Sequence, residues 1–382
     1  MKLTYRAGVV AGLLVGAVAL AACSSSKTNS GSNNSSSTTP PTSTSTSTSA
    51  ANATTCFSGT LNAEGSTAQA NAMSAWQKGY QTACPGSTVN YNPTGSGAGV
   101  SEFNAGKVDF AGSDAALNPK ATPSEVTAAQ KRCGSTPLDL PMVGGPIAIA
   151  FKLNGVSKLV LNGTTIANIF LGKIKTWDDP AIKALNSGAT LPSTKISVFY
   201  RSDSSGTTKN FESYLAATAP TVFASAPDKD SSKAGFAGQG KSGSQAVADG
   251  VSSTQGGIGY MEYSFAVNGS LSTASIDNGG GAVDISPDSA SAAIASAPTT
   301  GTGNDLTLKL DYGTKTPGAY PITLVTYEIV CTKYADSAVA TKVKDFLTYT
   351  VTSGQAGLKA IGYAPLPAAL QAKVAAAVAT IS

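Results

Sequence analysis

The sequence predicts an α/β protein whose body is large enough for two lobes, and three observations carry this. Apolar or alternating runs rich in Val, Ile and aromatic residues occupy 138–151, 196–200 and 322–330, the signature of strands. Helical stretches at 68–83, 124–133, 208–216 and 338–350 alternate with them, and strands interleaved with helices imply a sheet covered by helices. From Cys56 to Ser382 the body runs to about 325 residues, a length that suits two ordinary cores better than one, and 41% of the chain is apolar.

Ahead of the body, Met1, Lys2 and Arg6 precede an apolar run over 7–22 and then Cys23. A short basic region, a hydrophobic segment and a small-residue cleavage site make a secretory signal, not a membrane span, so residues 1–22 are assigned to a signal peptide. Leu20-Ala21-Ala22-Cys23 resembles the bacterial lipobox, in which the cysteine becomes the acylated first residue of the mature protein. Residues 23–55 are that cysteine followed by Ser, Thr, Asn and Pro with hardly any apolar side chain. Such a composition cannot offset the entropy of ordering, so it reads as a disordered tether. About 30 residues of coil reach a few tens of Å from a membrane.

Net charge is +4, and with Lys2 and Arg6 removed along with the signal the mature chain carries +2. No global field points to nucleic acid. Apart from Cys23, the cysteines are Cys56, Cys84, Cys133 and Cys331, an even number in an exported chain. Two disulfides are expected, with three pairings open. The chain has no histidine, which removes the usual serine and cysteine triads, His-ligated metals and imidazole acid–base chemistry.

In open α/β sheets ligands sit beyond the carboxyl ends of strands, against helix N-termini. Four such places share one chemistry: Glu64-Gly65-Ser66-Thr67; Thr94-Gly95-Ser96-Gly97-Ala98-Gly99; Ala111-Gly112-Ser113-Asp114; and Arg201-Ser202-Asp203-Ser204-Ser205-Gly206-Thr207. Unpaired helix N–H groups, glycines that let a ligand approach, and hydroxyls at the cap build an anion site. One such place reads as a plain helix cap, but four together point to an anion. Arg201 stands out because the mature chain has only one other arginine, Arg132. Its planar guanidinium suits a bidentate grip on an oxyanion, and Asp203 two residues on can hold it in position.

These strings, with Leu171-Gly172-Lys173-Ile174-Lys175-Thr176-Trp177-Asp178-Asp179-Pro180, occur in the order and spacing of PstS phosphate-binding proteins, which the body resembles from about residue 60 to 370. The resemblance implies a two-lobed, periplasmic-binding-protein-like fold of type II, with a hinge and a ligand cleft between the lobes. The first lobe would comprise 56–151 and 326–382, and the second 152–325. It implies phosphate contacts from Thr67, the Ala68 amide, Ser96, Asp114, Arg201, Ser205, Gly206 and Thr207, with the Trp177 motif structural. It further implies a monomer that delivers phosphate to the membrane permease of an ATP-driven importer, with no catalytic residue, metal or cofactor. Asp114, a carboxylate facing an anion, accepts hydrogen bonds only, so it favours a ligand that still carries a proton. Phosphate does and sulfate does not. A buried polar group left unpaired can reject the wrong ligand by about 10⁴-fold or more.

Three rivals are weaker. Gly235-Phe236-Ala237-Gly238-Gln239-Gly240-Lys241-Ser242 matches the phosphate-loop pattern of nucleotide hydrolases, but a polar stretch, 228–233, precedes it instead of a buried strand. A secreted phosphatase using Ser205 or Thr207 would need a base or metals that these junctions do not supply. An adhesin-like surface lipoprotein suits the tether and leaves the anion site unexplained.

Overall fold

The computed structural model describes residues 54–382; the signal segment, Cys23 and the tether as far as residue 53 lie outside the described residues. The chain begins β1 (Gly59–Gly65), α1 (Ala70–Ala83), β2 (Ser87–Asn92), α2 (Ser96–Asn104), β3 (Phe110–Ser113) and α3 (Glu125–Cys133), and enters the long β4 (Pro137–Lys152). It continues with β5 (Val160–Leu161), α4 (Gly163–Phe170), α5 (Pro180–Leu185), β6 (Ser197–Arg201), α6 (Gly206–Thr218), β7 (Gln239–Lys241), α7 (Gly243–Ser253), β8 (Gly257–Glu262) and α8 (Tyr263–Asn268). Then come β9 (Ser272–Thr273), β10 (Ser275–Asp277), β11 (Ala282–Val283), α9 (Pro287–Ala295), β12 (Thr323–Cys331), α10 (Ser337–Val351) and α11 (Ala368–Ala379).

The main sheet runs β2-β1-β3-β12-β4-β8-β6-β7. At one end β1 pairs in parallel with β2 and β3, and at the other β6 pairs in parallel with β7 and β8. Two long strands join the halves. Residues Pro137 to Pro146 of β4 pair antiparallel with β12, whereas Ile147 to Lys152 pair with β8. Every residue of β4 except Lys152 is buried, which explains why its sequence is a continuous apolar run without alternation.

The apolar interior divides along the same strands. One cluster gathers Leu61, Trp76, Phe110, Val143 and Ile329 under α1 and α10, and the other gathers Ile147, Phe170, Trp177, Phe211 and Tyr260 under α4 and α6. On β4 the changeover falls between Val143 and Ile147, upstream of the crossing that the sequence placed near Phe151–Lys152. Trp177 is fully buried and its Nε1 donates to the Gly256 carbonyl at 3.2 Å. Asp179 accepts from the Ala181 amide and Pro180 opens α5, so this motif is a capped turn in the second core.

Of the three possible cysteine pairings the fold selects Cys56–Cys84 and Cys133–Cys331, each with a Cα–Cα distance of 5.4 Å. The second bridge ties the end of α3 to the end of β12. No helix of the described residues is long and apolar enough to cross a membrane.

Candidate functional site

Three helix N-termini and one turn meet between the two cores. α2 begins at Ser96, α6 at Gly206 and α7 at Gly243, and the turn at Ser66 to Gln69 leads into α1. The approach is close enough to require glycine. A Cβ on Gly206 would lie 2.6 Å from Ser96 Oγ and 2.7 Å from Asp114 Cβ. Gly95, at φ +109°, holds the left-handed conformation that only glycine adopts freely, and a Cβ there would meet Asp203 Oδ2 at 2.7 Å. The Gly97 amide donates to the Ser204 carbonyl at 3.0 Å, which joins the α2 and α6 termini directly.

Asp114 lies at the centre and is 3% exposed. Its Oδ1 accepts from Ser66 Oγ and, at 2.9 Å, from Thr326 Oγ1. Its Oδ2 accepts from Thr207 Oγ1 at 3.1 Å and Ser96 Oγ at 3.4 Å. Burial raises its pKa above the ordinary value, although the hydroxyls of Ser66, Thr326 and Thr207 and the charge of Arg201 oppose this. No helix starts at Asp114, since the next one begins at Glu125, so it is not a helix cap. Four protein hydroxyls already serve it, so it does not depend on a ligand for its hydrogen bonds.

Arg201 is 1% exposed. Its Nε donates to Asp203 Oδ1 at 2.6 Å and its NH2 to Asp203 Oδ2, while NH1 donates to Ser244 Oγ at 3.2 Å. Burial alone would raise the Asp203 carboxyl, but the hydrogen bonds and charge of Arg201, with the Gly243 amide donating at 3.0 Å, hold it below its usual value. The salt bridge predicted for Asp203 and the anion-facing role of Arg201 are thus compatible, since the pairing fixes the guanidinium while NH1 points to the site hydroxyls.

Thr67, Ser96, Asp114, Arg201, Ser205, Gly206 and Thr207 all converge here. Ser205 Oγ caps α6 by accepting from the Thr208 amide at 3.2 Å, which leaves its proton free to donate. Ala68 is fully buried, packs into the second core, and its amide donates to Ser66 Oγ at 3.0 Å. Sequence reasoning missed Ser66, Thr326 and Ser244 as members. Ser244 Oγ lies 2.9 Å from Thr67 Oγ1 and its amide donates to that oxygen at 3.3 Å. The signal for it was available, because Ser242-Gly243-Ser244 follows strand β7 and opens α7 as the other junctions do. The phosphate-loop match beside it has no such geometry. Ser231 to Lys233 form a short 3-10 turn, and Lys241 Nζ sits 5.6 Å from the Phe199 ring. Among the described residues no group of three or more Cys, Asp or Glu side chains could hold a metal ion.

Two α/β halves joined by long strands, with buried hydroxyls, helix N-termini and a single guanidinium between them, define a solute-binding protein of the two-lobed periplasmic type. Residues 39–353 match the model of the PBP superfamily domain. The chain is 47% identical over 327 residues to phosphate-binding protein PstS 3 of Mycobacterium tuberculosis, covering 85% of this chain and 87% of that one. It is 33% identical over 298 residues to PstS of Xylella fastidiosa, covering 77% and 78%. Among solved structures, a periplasmic phosphate-binding protein (PfluDING) bound with phosphate superposes with a TM-score of 0.67 at 25% identity, covering 83% of this chain and 93% of that one. The chain belongs to the PstS family of phosphate-binding proteins.

Proposed function

We propose that this protein captures inorganic phosphate outside the cytoplasmic membrane and delivers it to an ATP-driven importer. The observation that carries the reading is the pairing of Arg201 with a ring of buried hydroxyl and amide donors around a single carboxylate, Asp114. Thr67, Ser96, Arg201, Ser205, Gly206 and Thr207 donate to the phosphate oxygens, and the Ala68 amide joins them by giving up its bond to Ser66 Oγ. Arg201 supplies the charge and Asp203 sets its geometry.

Asp114 reads the proton through the hydroxyls that serve it. Each Ser or Thr hydroxyl has one proton, so Ser96 and Thr207 can give theirs to Asp114 or to the ligand, not to both. A phosphate O–H donates to Asp114 and releases a hydroxyl proton for another phosphate oxygen. Sulfate has no proton to offer, so either its own oxygens or Asp114 loses a donor. The carboxylate therefore selects phosphate without being starved of hydrogen bonds in its absence.

The first lobe runs from about residue 56 into β4 and returns at β12, and the second lies between these strands. Closure brings Thr67, Ser96 and Asp114 against Arg201 and the start of α6, and anion contacts from both sides favour the closed state. Cleavage before Cys23 and acylation of that residue tether the protein to the outer face of the membrane, within reach of the permease subunits. It works as a monomer that binds and releases its ligand unchanged, with no cofactor and no nucleic-acid partner. Titration calorimetry with phosphate, sulfate and a phosphate monoester tests this reading. Phosphate alone should bind tightly, and Arg201→Ala should cost at least about 2 kcal/mol, the worth of a charge-assisted bidentate contact in a desolvated site. Unchanged phosphate affinity in that variant places the site elsewhere.

A further inference from the structure

Behind the site lies a buried acid that the binding reading does not use. Glu328, on β12, is fully buried, and neither carboxyl oxygen has a hydrogen-bond partner; the neighbouring Gln69 Oε1 is likewise buried and unpartnered. The Gln69 side chain neighbours the carboxyl. Three buried acceptors thus lack a donor, a costly arrangement in a protein interior. The other end of Gln69 is satisfied. Its Nε2 donates to Tyr91 OH at 3.0 Å, and Tyr91 OH donates to the Ser66 carbonyl at 2.9 Å. Gly112, the cross-strand partner of Glu328, makes room for this chain, since a Cβ there would fall 2.0 Å from Gln69 Nε2 and 2.5 Å from Tyr91 OH.

We infer that Glu328 is a protonated positioning residue, whose carboxyl O–H donates to Gln69 Oε1 and completes a one-way chain of hydrogen bonds ending at the Ser66 carbonyl. One proton turns one of the three acceptors into a donor for a second and leaves the third as an uncharged carbonyl oxygen. The chain fixes the turn that presents Ser66 to Asp114 and Thr67 to the ligand, so this inference rests on the phosphate-binding reading. Ionisation would reverse its direction. A carboxylate must accept, so Gln69 would turn its NH₂ toward Glu328 and its oxygen toward Tyr91. The tyrosine proton would follow that oxygen, and the Ser66 carbonyl would lose its donor. Burial pushes the Glu328 carboxyl up to about 8 against the opposing pull of the Gln69 side chain, and the charge of Asp114 adds to the rise. Tyr91 faces it from β2, with Glu64 of β1 beyond, and Asp114 follows β3. Glu328 joins none of the ion pairs among the described residues. Burial and the charge of Glu328 raise Tyr91 well above its ordinary value, so it remains a donor throughout.

The test has two arms. In the first, ¹³C-carboxyl NMR follows the glutamates of the full chain against pH, and Glu328 is identified by the signal lost in Glu328→Gln. Should that variant fail to fold, the signal perturbed by Gln69→Leu identifies it. The carboxyl should titrate near 8, and titration in the ordinary glutamate range overturns the inference. In the second arm, inorganic phosphate is titrated calorimetrically into wild type and Glu328→Gln, whose amide donates at every pH. The ratio of dissociation constants, wild type to variant, should rise about fivefold between about pH 6 and about pH 9.5, the weight of one neutral hydrogen bond. Taking the ratio cancels the ionisation of phosphate itself. A flat ratio overturns the link to the turn even if Glu328 titrates high. Failure of phosphate to bind wild type at any pH refutes the functional reading and the turn's role in it, while the NMR arm still decides the protonation state.

Discussion

At the scale of single residues, Asp114 and Arg201 divide the electrostatic work. Arg201, held by Asp203, presents a fixed positive fork, and Asp114 opposes it with a carboxylate whose donors can be redistributed. Replacing Asp114 with Asn separates the proton-reading role from simple shape. The amide keeps the volume, removes the charge, and can turn either its oxygen or its NH₂ to the ligand. Phosphate affinity should change little, whereas sulfate, which gains a donor where it met a carboxylate, should bind more tightly. The ratio of the two dissociation constants, measured by calorimetry in both chains, decides the matter. A ratio left unmoved, or a wild type that binds sulfate as well as phosphate, would falsify the proton-reading mechanism.

At the scale of elements, the site depends on the ends of helices being held against the ends of strands. The Cys133–Cys331 bridge couples α3 to β12, the strand that carries both Thr326 and Glu328, and closes a sequence separation of 198 residues. Cys56–Cys84 closes only 28. On the chain-entropy account a longer closed loop constrains the unfolded chain more, with upper bounds of about 5 and about 3.5 kcal/mol for these separations. Converting the Cys133–Cys331 pair to serines should therefore lower the melting temperature more than converting Cys56–Cys84. Scanning calorimetry of the two double variants checks the order. An equal or reversed order would mean that local packing outweighs chain entropy at these bridges.

At the scale of the whole molecule, several acids are buried with few partners. Burial pushes Glu328, Glu212 and Asp139 each up to about 8, with neighbouring carboxylates adding to it, and lifts Glu262 well above its ordinary value. In the unfolded chain these groups ionise near 4.5 or 3.8. Between those limits the native state binds more protons than the unfolded state, so stability falls as pH rises. The contribution of Glu328, Glu212 and Asp139 is fully present below the unfolded values and lost as pH passes through about 8. Asp203 works the other way, since its lowered pKa gives stability above its unfolded value that is lost in acid. Melting temperature should therefore be highest in mild acid, near about pH 5, and decline toward about pH 9. A thermal scan in phosphate-free buffers that shows a flat or rising profile over that range would contradict the assignment of these groups as protonated.

Much of the candidate site was legible because it is built from local chemistry. Gly, Ser and Thr at helix starts announce themselves in a few consecutive residues, so Thr67, Ser96, Ser205 and Gly206 could be named as candidates from the string alone, as could Arg201, one of two arginines in the mature chain, beside Asp203. The α/β alternation was legible for the same reason, since periodicity and capping act over one turn or one strand. Thr326 and Glu328 were not legible. They lie in the middle of an apolar strand, and only the pairing of β12 with β3 brings them to Asp114 and Gln69. The choice among three cysteine pairings likewise required distances between residues far apart in the chain. Asp114 shows the boundary most clearly. The family resemblance makes it a candidate ligand-facing carboxylate, but whether it caps a helix or collects four hydroxyls depends on where the chain goes next. By itself the sequence determined which side chains are candidates to bind an anion. The tertiary structure decided which of them share one buried volume, because hydrogen bonding and burial depend on separation in space, which a linear pattern encodes only over short range.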